Sequence, residues 1–355
     1  MASSLNNPAW LEWMATLMGG ASRHSYAASL PPDHFHCLLD ELPLHLIPQH
    51  AQRALSAECD HQNSSQVCQE HPLVLNPNCV LLSGGEPRQL QAGRDLLAGF
   101  ALQGTIAWVH DASAGFTLPF WLGPRLESAL RSFKTGEPSS TALDAYDRAL
   151  LAMAGILAPS EYADHRKAVW DDLARRSGPR FREKGYAPLS NLIHPFHVAA
   201  LRRYYRYLIR TGAIRLGDGQ SARRYVAYNE PVARFFHHSL APILSDLAGE
   251  PLKPSYVYLA SYLSGAELKK HTDREQCEFS ITFCLDFSPE PALATPWPIL
   301  LDTAAGTVDV YQALGDGLAY RGTRLPHYRE ALAMGQTSTS IFFHYVPADF
   351  AGSLD

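Results

Sequence analysis

The sequence predicts an α+β protein in which a C-terminal double-stranded β-helix (jelly roll) with supporting helices follows a mainly helical N-terminal region. Two observations lead to this fold class. From residue 253 onward, strand-length runs of β-branched and aromatic residues alternate with turn residues. Before that point, apolar residues recur at helical spacing in several segments. We therefore expect an N-terminal accessory region at 1–175 and a second domain at 176–355.

The predicted jelly-roll core covers residues 253–348. Its strands lie near 255–263, 268–273, 277–287, 297–303, 307–313, 317–321, 325–331 and 337–346. Successive side chains on a strand alternate between its two faces, so inward residues from several strands converge between the sheets. Residues that are far apart in the sequence can then form one compact site.

Helices are predicted on the N-terminal side of this core. The strongest are His197–Arg210 and Pro231–Leu247, because each is followed by a glycine that can end a helix. Farther upstream, apolar spacing within 119–158 predicts at least two more. Residues 175–190 contain the turn-forming run Ser177-Gly178-Pro179, and we interpret them as a linker.

The composition argues against several classes of protein. A formal net charge of -5 disfavours broad binding to nucleic acid or to anionic membranes. No run of 18 apolar residues is present, so we expect no transmembrane helix. The first residues lack the basic and apolar segments of a secretory signal, and six cysteines are too few for a disulfide scaffold. We therefore expect a cytoplasmic protein with reduced thiols.

The most informative motif is His271-Thr272-Asp273, taken together with the distant His327. Residues i and i+2 of a strand project from one face, so His271 and Asp273 can bind an ion from the same side. A histidine on a facing strand would complete three ligands. Two imidazoles and one carboxylate suit ferrous iron and leave coordination positions open for O₂ and an organic ligand. We interpret the three residues as candidate metal ligands and catalytic residues.

The alternative is that these side chains are structural polar residues of a non-catalytic jelly-roll binding protein. His-x-Asp is a short pattern that often occurs by chance. Here, however, both parts of the set fall in the same predicted jelly roll. His327 follows a strand-and-turn segment at 315–322, and a last strand comes directly after it. These placements favour the metal site.

At this point a resemblance to a known family is specific. The pattern Tyr262-x-x-Gly265-x-x-Leu268-x-x-His271-x-Asp273 resembles the motif that leads into the metal site of iron(II)- and 2-oxoglutarate-dependent oxygenases of the prolyl 4-hydroxylase type. The run Phe279–Asp286 resembles the next strand of that family. The resemblance covers residues 250–348, with the helices at 195–247 in the expected supporting place, and does not extend to the first 175 residues.

The resemblance implies that His271, Asp273 and His327 bind Fe(II). It also implies that 2-oxoglutarate chelates the metal through its C1 carboxylate and keto oxygen, and that its oxidation by O₂ to succinate and CO₂ drives attack on a substrate C–H bond. The protein's part is to set geometry, exclude water and place that bond.

One position departs from the family's pattern. The family usually has Lys or Arg, which pairs with the far carboxylate of the co-substrate, where this chain has Thr337. The nearest substitute is Arg329, which shares the inward face of His327 and has the planar fork for bidentate carboxylate binding. An ion pair of Arg329 with Glu330 or Glu278 is the structural alternative. Arg321 is the second candidate anchor, and further hydroxyl donors are expected from Tyr262, Thr337 and Thr339.

The sequence thus predicts an Fe(II)- and 2-oxoglutarate-dependent dioxygenase that hydroxylates an amino acid, a peptide or a carrier-bound small metabolite. An iron oxygenase of the same fold that does not use 2-oxoglutarate is the second possibility, and a non-catalytic binding protein is the third. The N-terminal region is larger than iron chemistry requires, so we expect it to recognise substrate or to form a homodimer. Neither nucleic acid nor a membrane is an expected partner.

Overall fold

The elements of the N-terminal region include both strands and helices. The computed structural model describes residues 30–49, 51–52, 73–87, 90, 95–111, 116–131, 133, 143–159, 165–190 and 192–355. The strands in the first part are β1 (Leu73–Leu75), β2 (Cys79–Ser83), β3 (Thr105–Asp111), β4 (Phe116–Leu122) and β5 (Leu157–Pro159). The helices there are α1 (Pro124–Leu130) and α2 (Ala145–Met153).

In the residues that the structure describes, the N-terminal region that was predicted to be mainly helical also contains two small sheets. Strands β2, β3 and β4 form an antiparallel sheet, and β1 pairs with β5. The run Ile106–Val109 in β3 is buried on both faces. Such a continuous apolar run has no period-2 alternation, so its sequence does not distinguish a buried strand from a buried helix.

The middle of the chain supplies supporting elements for the core. They are α3 (His165–Lys184), β6 (Tyr186–Leu189), α4 (Pro195–Arg210), β7 (Arg215–Leu216), β8 (Arg224–Tyr228) and α5 (Pro231–Ala248). The predicted linker at 175–190 is therefore wrong, and the expected domain boundary at 175 lies inside α3. Pro179 removes one backbone donor from this helix. The helix continues because it packs against α5, with Phe181 fully buried and Arg182 donating to the Leu247 carbonyl at 3.1 Å.

The jelly-roll core follows the predicted strand positions closely. Its strands are β9 (Leu252–Tyr262), β10 (Leu268–His271), β11 (Phe279–Ser288), β12 (Ile299–Thr303), β13 (Gly306–Val310), β14 (Gly317–Tyr320), β15 (His327–Arg329) and β16 (Thr337–Pro347). The larger sheet has the order β6-β14-β11-β16-β9-β8-β7, and the smaller has the order β10-β15-β12-β13. All pairings within these two sheets are antiparallel. The chain crosses between the sheets after every strand except β12, which forms a hairpin with β13 in the smaller sheet, and this is the arrangement of a double-stranded β-helix.

Side chains from both sheets pack between them and leave a site at one end of the jelly roll. Leu301 of the smaller sheet and Tyr320 of the larger one belong to the same buried cluster. Behind the larger sheet, α4 and α5 join the N-terminal residues in a second, larger core, where Phe35 packs edge-on against Phe236 at 6.1 Å. Within the described parts of the chain, no helix combines the length and apolarity that crossing a membrane would require.

A buried arginine joins the helices, the N-terminal region and the core. Arg202 of α4 is fully buried, and its guanidinium donates to Asp286 at 3.0 Å, to Glu290 at 2.7 Å and to the Leu46 carbonyl at 2.6 Å. Arg206, one turn later, also binds Asp286. These ion pairs hold α4 against β11, because leaving any of the buried charges without its partner is costly.

Replacing Arg202 tests this connection. We expect Arg202→Ala to lower the free energy of unfolding in urea by about 3 kcal/mol, because it leaves buried acceptors without their donor. Arg210→Ala, at the exposed end of the same helix, is the matched control. Equal losses of unfolding free energy in the two variants would show that the ion pairs do not stabilise the fold.

Candidate metal centre

The structure brings His271, Asp273 and His327 together at the mouth of the jelly roll. Strand β10 pairs with β15 so that His271 lies directly opposite His327, and their ring centroids are 4.4 Å apart. Asp273 follows two residues after His271, and its Oδ1 is 3.5 Å from the Nε2 atom of each histidine. One potential ligand atom from each side chain thus falls within a space less than 4.8 Å across.

Backbone carbonyls orient both histidine rings. The Nδ1–H of His271 donates to the Lys269 carbonyl at 2.8 Å, and that of His327 donates to the Leu325 carbonyl at 3.0 Å. A carbonyl oxygen can only accept, so each Nδ1 carries a proton and Nε2 is left to face Asp273. Bonds of this kind from the second ring nitrogen are typical of metal-bound histidines.

The donor set fits a cation. With neutral rings, two Nε2 lone pairs and one carboxylate oxygen converge, and no hydrogen-bond donor lies between them. Either a metal ion or a proton on one of the rings must therefore balance the negative charge of the carboxylate. Accordingly, the hydrogen bond with Asp273 raises the pKa of His271, while burial opposes the shift. Burial likewise disfavours the Asp273 anion, but hydrogen bonds from His271 and His327 lower the pKa of that carboxyl.

Backbone and side chain both fix the position of Asp273. Its N–H donates to the Gly322 carbonyl at 2.9 Å, and its Oδ2 accepts from Ser280 Oγ at 3.2 Å. The Ser280 hydroxyl lies 2.8 Å from Nδ1 of His344. A Cβ atom on Gly322 would meet Oδ2 of Asp273 at 2.2 Å, and the Cys277 carbonyl at 2.5 Å. Only glycine therefore leaves room for the carboxylate in this position.

Of the predicted co-substrate residues, Tyr262 and Arg329 lie in the interior. Tyr262 lines the cavity in front of the triad, and its hydroxyl accepts from Arg224 at 3.3 Å. Arg329 is 4% exposed and donates to the Trp297 carbonyl at 2.7 Å and to Gln312 Oε1 at 3.3 Å. Its Nε is buried without an acceptor, and no carboxylate of the described residues pairs with it.

The structure does not bring Arg321, Thr337 or Thr339 to the cavity. The Arg321 guanidinium lies over the Phe279 ring and pairs with Glu278 at 3.4 Å. Thr337 is exposed at the start of β16, and the Thr339 hydroxyl bonds to that of Ser261 at 2.8 Å.

The inward face of β16 is carried by its even-numbered residues. Phe342 and His344 line the cavity, so alternation places Ser340 on the same face and Thr337 and Thr339 on the other. The expectation that Thr337 and Thr339 face the co-substrate assigned the inward face to the odd-numbered residues, and His344 was therefore not among the predicted site residues. The fully buried apolar residues 341, 343 and 345, which pack toward the helices, are the signal that could have identified it.

Ser340, like Arg329, has a buried polar atom that makes no hydrogen bond. Its Oγ has no hydrogen-bond partner. Cys284 lies opposite Ser340 on β11, and Arg329 is close enough to act on its thiol. Burial raises the pKa of Cys284 to about 12, and the positive charge of Arg329 opposes that rise. The interior behind the triad thus contains two donors that the described chain leaves unused.

The cavity in front of the triad is large and has cations at its opening. Its volume is about 1090 Å³. Arg223, Lys269 and Arg274, here called the mouth cations, line it, and none has a carboxylate partner within the described chain. The Arg274 guanidinium instead lies 5.0 Å over the Tyr256 ring. All residues that line this cavity come from 218–344.

Comparisons with known proteins find fold likeness only. No family model matches this chain, and no curated protein matches it. Among solved structures, the epimerase SnoN from nogalamycin biosynthesis has 17% identity and a TM-score of 0.41, over 51% of this chain and 83% of SnoN. A Pseudomonas putida prolyl-4-hydroxylase has 12% identity and a TM-score of 0.41, over 49% of this chain and 100% of its own.

A third neighbour is HygX from Streptomyces hygroscopicus, solved with nickel, 2-oxoglutarate and hygromycin B bound. It has 13% identity and a TM-score of 0.40, over 50% of this chain and 88% of HygX. SnoN is described as a non-heme, α-ketoglutarate-dependent epimerase, and the P. putida protein as a prolyl-4-hydroxylase. Because the likenesses are this distant, we infer function from the contacts of the chain itself.

Substitution of Gly322 should disable the triad. We expect Gly322→Ala to weaken Mn(II) binding at least about tenfold, because the new methyl group displaces Asp273, a loss of about 1.4 kcal/mol or more. Gly219→Ala is the control, since Gly219 also lines the cavity but has open space around its Cβ position. Titration of each variant, followed by the EPR signal of free Mn(II), compares them; unchanged affinity in Gly322→Ala would contradict the assignment.

Metal binding should weaken in acid. The pKa of His271 is raised, so the ring keeps its proton to higher pH, and a metal ion must displace that proton. We expect Mn(II) affinity to fall about tenfold per pH unit once the pH drops below this pKa. Repeating the EPR titration from about pH 8 to about pH 5.5 measures the slope. An affinity that does not change over this range would show that no histidine binds the metal.

Proposed function

We propose that this chain is an Fe(II)- and 2-oxoglutarate-dependent dioxygenase that hydroxylates an amino acid, a peptide or a carrier-bound small metabolite. The observation that carries the proposal is the convergence of two histidine Nε2 atoms and one Asp273 oxygen, without a donor between them, on an open cavity. Two imidazoles and a carboxylate on one side of an ion leave its other positions free for exogenous ligands.

His271, Asp273 and His327 would hold the iron. The bound metal would supply O₂ activation coupled to oxidation of the keto acid. The rest of the work falls to the chain: Lys269 and Leu325 carbonyls fix the rings, and Ser280 fixes the carboxylate. Because the chain itself makes these bonds, the ligands need little reorganisation when the metal binds.

Arg329 is the proposed anchor for the far carboxylate of 2-oxoglutarate. A fully buried guanidinium without an anionic partner is costly, and a carboxylate is the acceptor that best compensates it. Tyr262 and Tyr320 line the cavity and also interact electrostatically with Arg329, so the guanidinium lies one side chain behind the cavity wall. The unpartnered Ser340 hydroxyl is a second donor for the same carboxylate.

The mouth cations favour a substrate with an anionic group. Their charges are concentrated at one opening in a chain whose net charge is -5, and such an opening attracts anions. Tyr228 and Tyr256 stack at 5.0 Å beside Arg274 and offer an apolar surface next to that charge.

The free thiols of Cys37, Cys79, Cys277 and Cys284 are consistent with a cytoplasmic location.

The N-terminal region has a supporting place in this proposal. No described residue before 218 lines the cavity. No contact of the described residues therefore supports substrate recognition by that region. A homodimer through this region stays a prediction, which sedimentation would test.

Formation of succinate tests the proposed reaction. Purified protein with Fe(II), 2-oxoglutarate and O₂ should release succinate, and His271→Ala should not. If neither Fe(II) nor Mn(II) bound, and His271→Ala behaved as wild type, the chain would be a non-catalytic jelly-roll protein. If a substrate were oxidised without any keto acid, the chain would be an iron oxygenase that does not use 2-oxoglutarate.

The Arg329 assignment is tested separately. We expect Arg329→Met to raise the KM for 2-oxoglutarate at least about 30-fold, equivalent to about 2 kcal/mol, because the far carboxylate loses its cation. Mn(II) binding should persist, which separates this effect from misfolding. Arg329→Lys should restore part of the affinity through its charge. Arg321→Gln, at the other candidate arginine, is the control and should leave this KM unchanged; an equal rise in both variants would remove Arg329 as the anchor.

A further inference from the structure

Asp273 also belongs to a second group of potential metal ligands. Its carboxylate, the Cys277 thiol and the His344 ring have ligand atoms within 4.8 Å of one another. All three side chains line the cavity, so an ion that enters can reach them. Cys277 and His344 take no part in the iron set described above.

The two oxygens of Asp273 have different neighbours. Oδ1 lies 3.5 Å from Nε2 of both His271 and His327, whereas Oδ2 lies 3.2 Å from Ser280 Oγ. That hydroxyl in turn is 2.8 Å from Nδ1 of His344. A carboxylate has lone pairs on both oxygens, so Asp273 can hold one ion through each of them. Occupation of the second group therefore does not require the first to be empty.

The chemistry of the second group differs from that of the first. It contains a sulfur ligand, and a thiolate with an imidazole and a carboxylate is a set that Zn²⁺ accepts in tetrahedral geometry. A coordinating metal deprotonates a thiol outright, so the neutral Cys277 is no obstacle. The Tyr256 hydroxyl lies 3.0 Å from the Cys277 sulfur, where it or a water can take the fourth position.

We propose that Asp273, Cys277 and His344 form a zinc site that shares the Asp273 carboxylate with the iron site. Zinc there binds Oδ2 in place of the Ser280 hydroxyl. Because the ion acts on the same carboxylate, zinc at this site lowers the affinity of the histidine pair for iron, and the chain senses the ratio of the two metals.

X-ray absorption at the zinc edge tests the site without any measurement of activity. The sample is full-length His271→Ala protein with one equivalent of Zn²⁺, because this variant disables the first group and leaves the second intact. We expect a sulfur ligand at about 2.3 Å. Cys277→Ser should replace it with nitrogen and oxygen ligands alone. Cys284→Ser is the matched control, since that thiol is equally buried in the same jelly roll, and it should keep the sulfur signal.

Two results would overturn the proposal. One is a zinc spectrum without sulfur in His271→Ala, and the other is a sulfur signal that persists after Cys277→Ser is added. Mn(II) binding by the wild-type protein is measured in parallel by EPR. The expected result is a several-fold loss of Mn(II) affinity when Zn²⁺ is present, which Cys277→Ser abolishes. Mn(II) binding measured without Zn²⁺ tests the iron site, and the sulfur signal tests the zinc site. The failure of one site can therefore be told from the failure of the other.

Discussion

The site depends on one backbone contact, the antiparallel pairing of β10 with β15. This pairing sets His271 opposite His327, and it brings Asp273 to both rings from one side. The carbonyls that orient the rings belong to the same two strands or to the residues just before them. The sheet therefore sets the two histidines, and Asp273, just past the end of β10, is held by its N–H bond to the Gly322 carbonyl. Such fixed positions are what a preorganised metal site requires.

A second constraint comes from polar groups buried in the interior without partners. Arg329 Nε and Ser340 Oγ lie behind the triad, where each missing hydrogen bond costs about 1–3 kcal/mol and a missing counter-ion costs more. A fold selected for stability alone would fill this space with apolar side chains. The carboxylate of the proposed 2-oxoglutarate would compensate this guanidinium.

The sequence predicts the core strands because they follow local rules, since alternation and turn residues define strands β9–β16. The i, i+2 rule predicted that Asp273 lies beside His271, and the two side chains are close although β10 ends at His271 and Asp273 lies just beyond it. Features that depend on tertiary packing were not predictable in this way. The helix through Pro179 persists because α5 covers it, and the inward face of β16 depends on which neighbour each face meets. Gly322 and Ser280 act on Asp273 only after distant segments are brought together.

In the described parts of the chain, one face of the larger sheet packs against the helices and the other face lines the cavity. On one face, Arg202 and the aromatic cluster around Phe35 bind the helices and the N-terminal region to the core. On the other, all cavity residues come from 218–344. Strand β11 connects the two, since Asp286 pairs with Arg202 on the helix side while Ser280 holds Asp273 on the cavity side. Changes in the helix packing can therefore reach Asp273 through β11, which lies between β14 and β16 in the larger sheet.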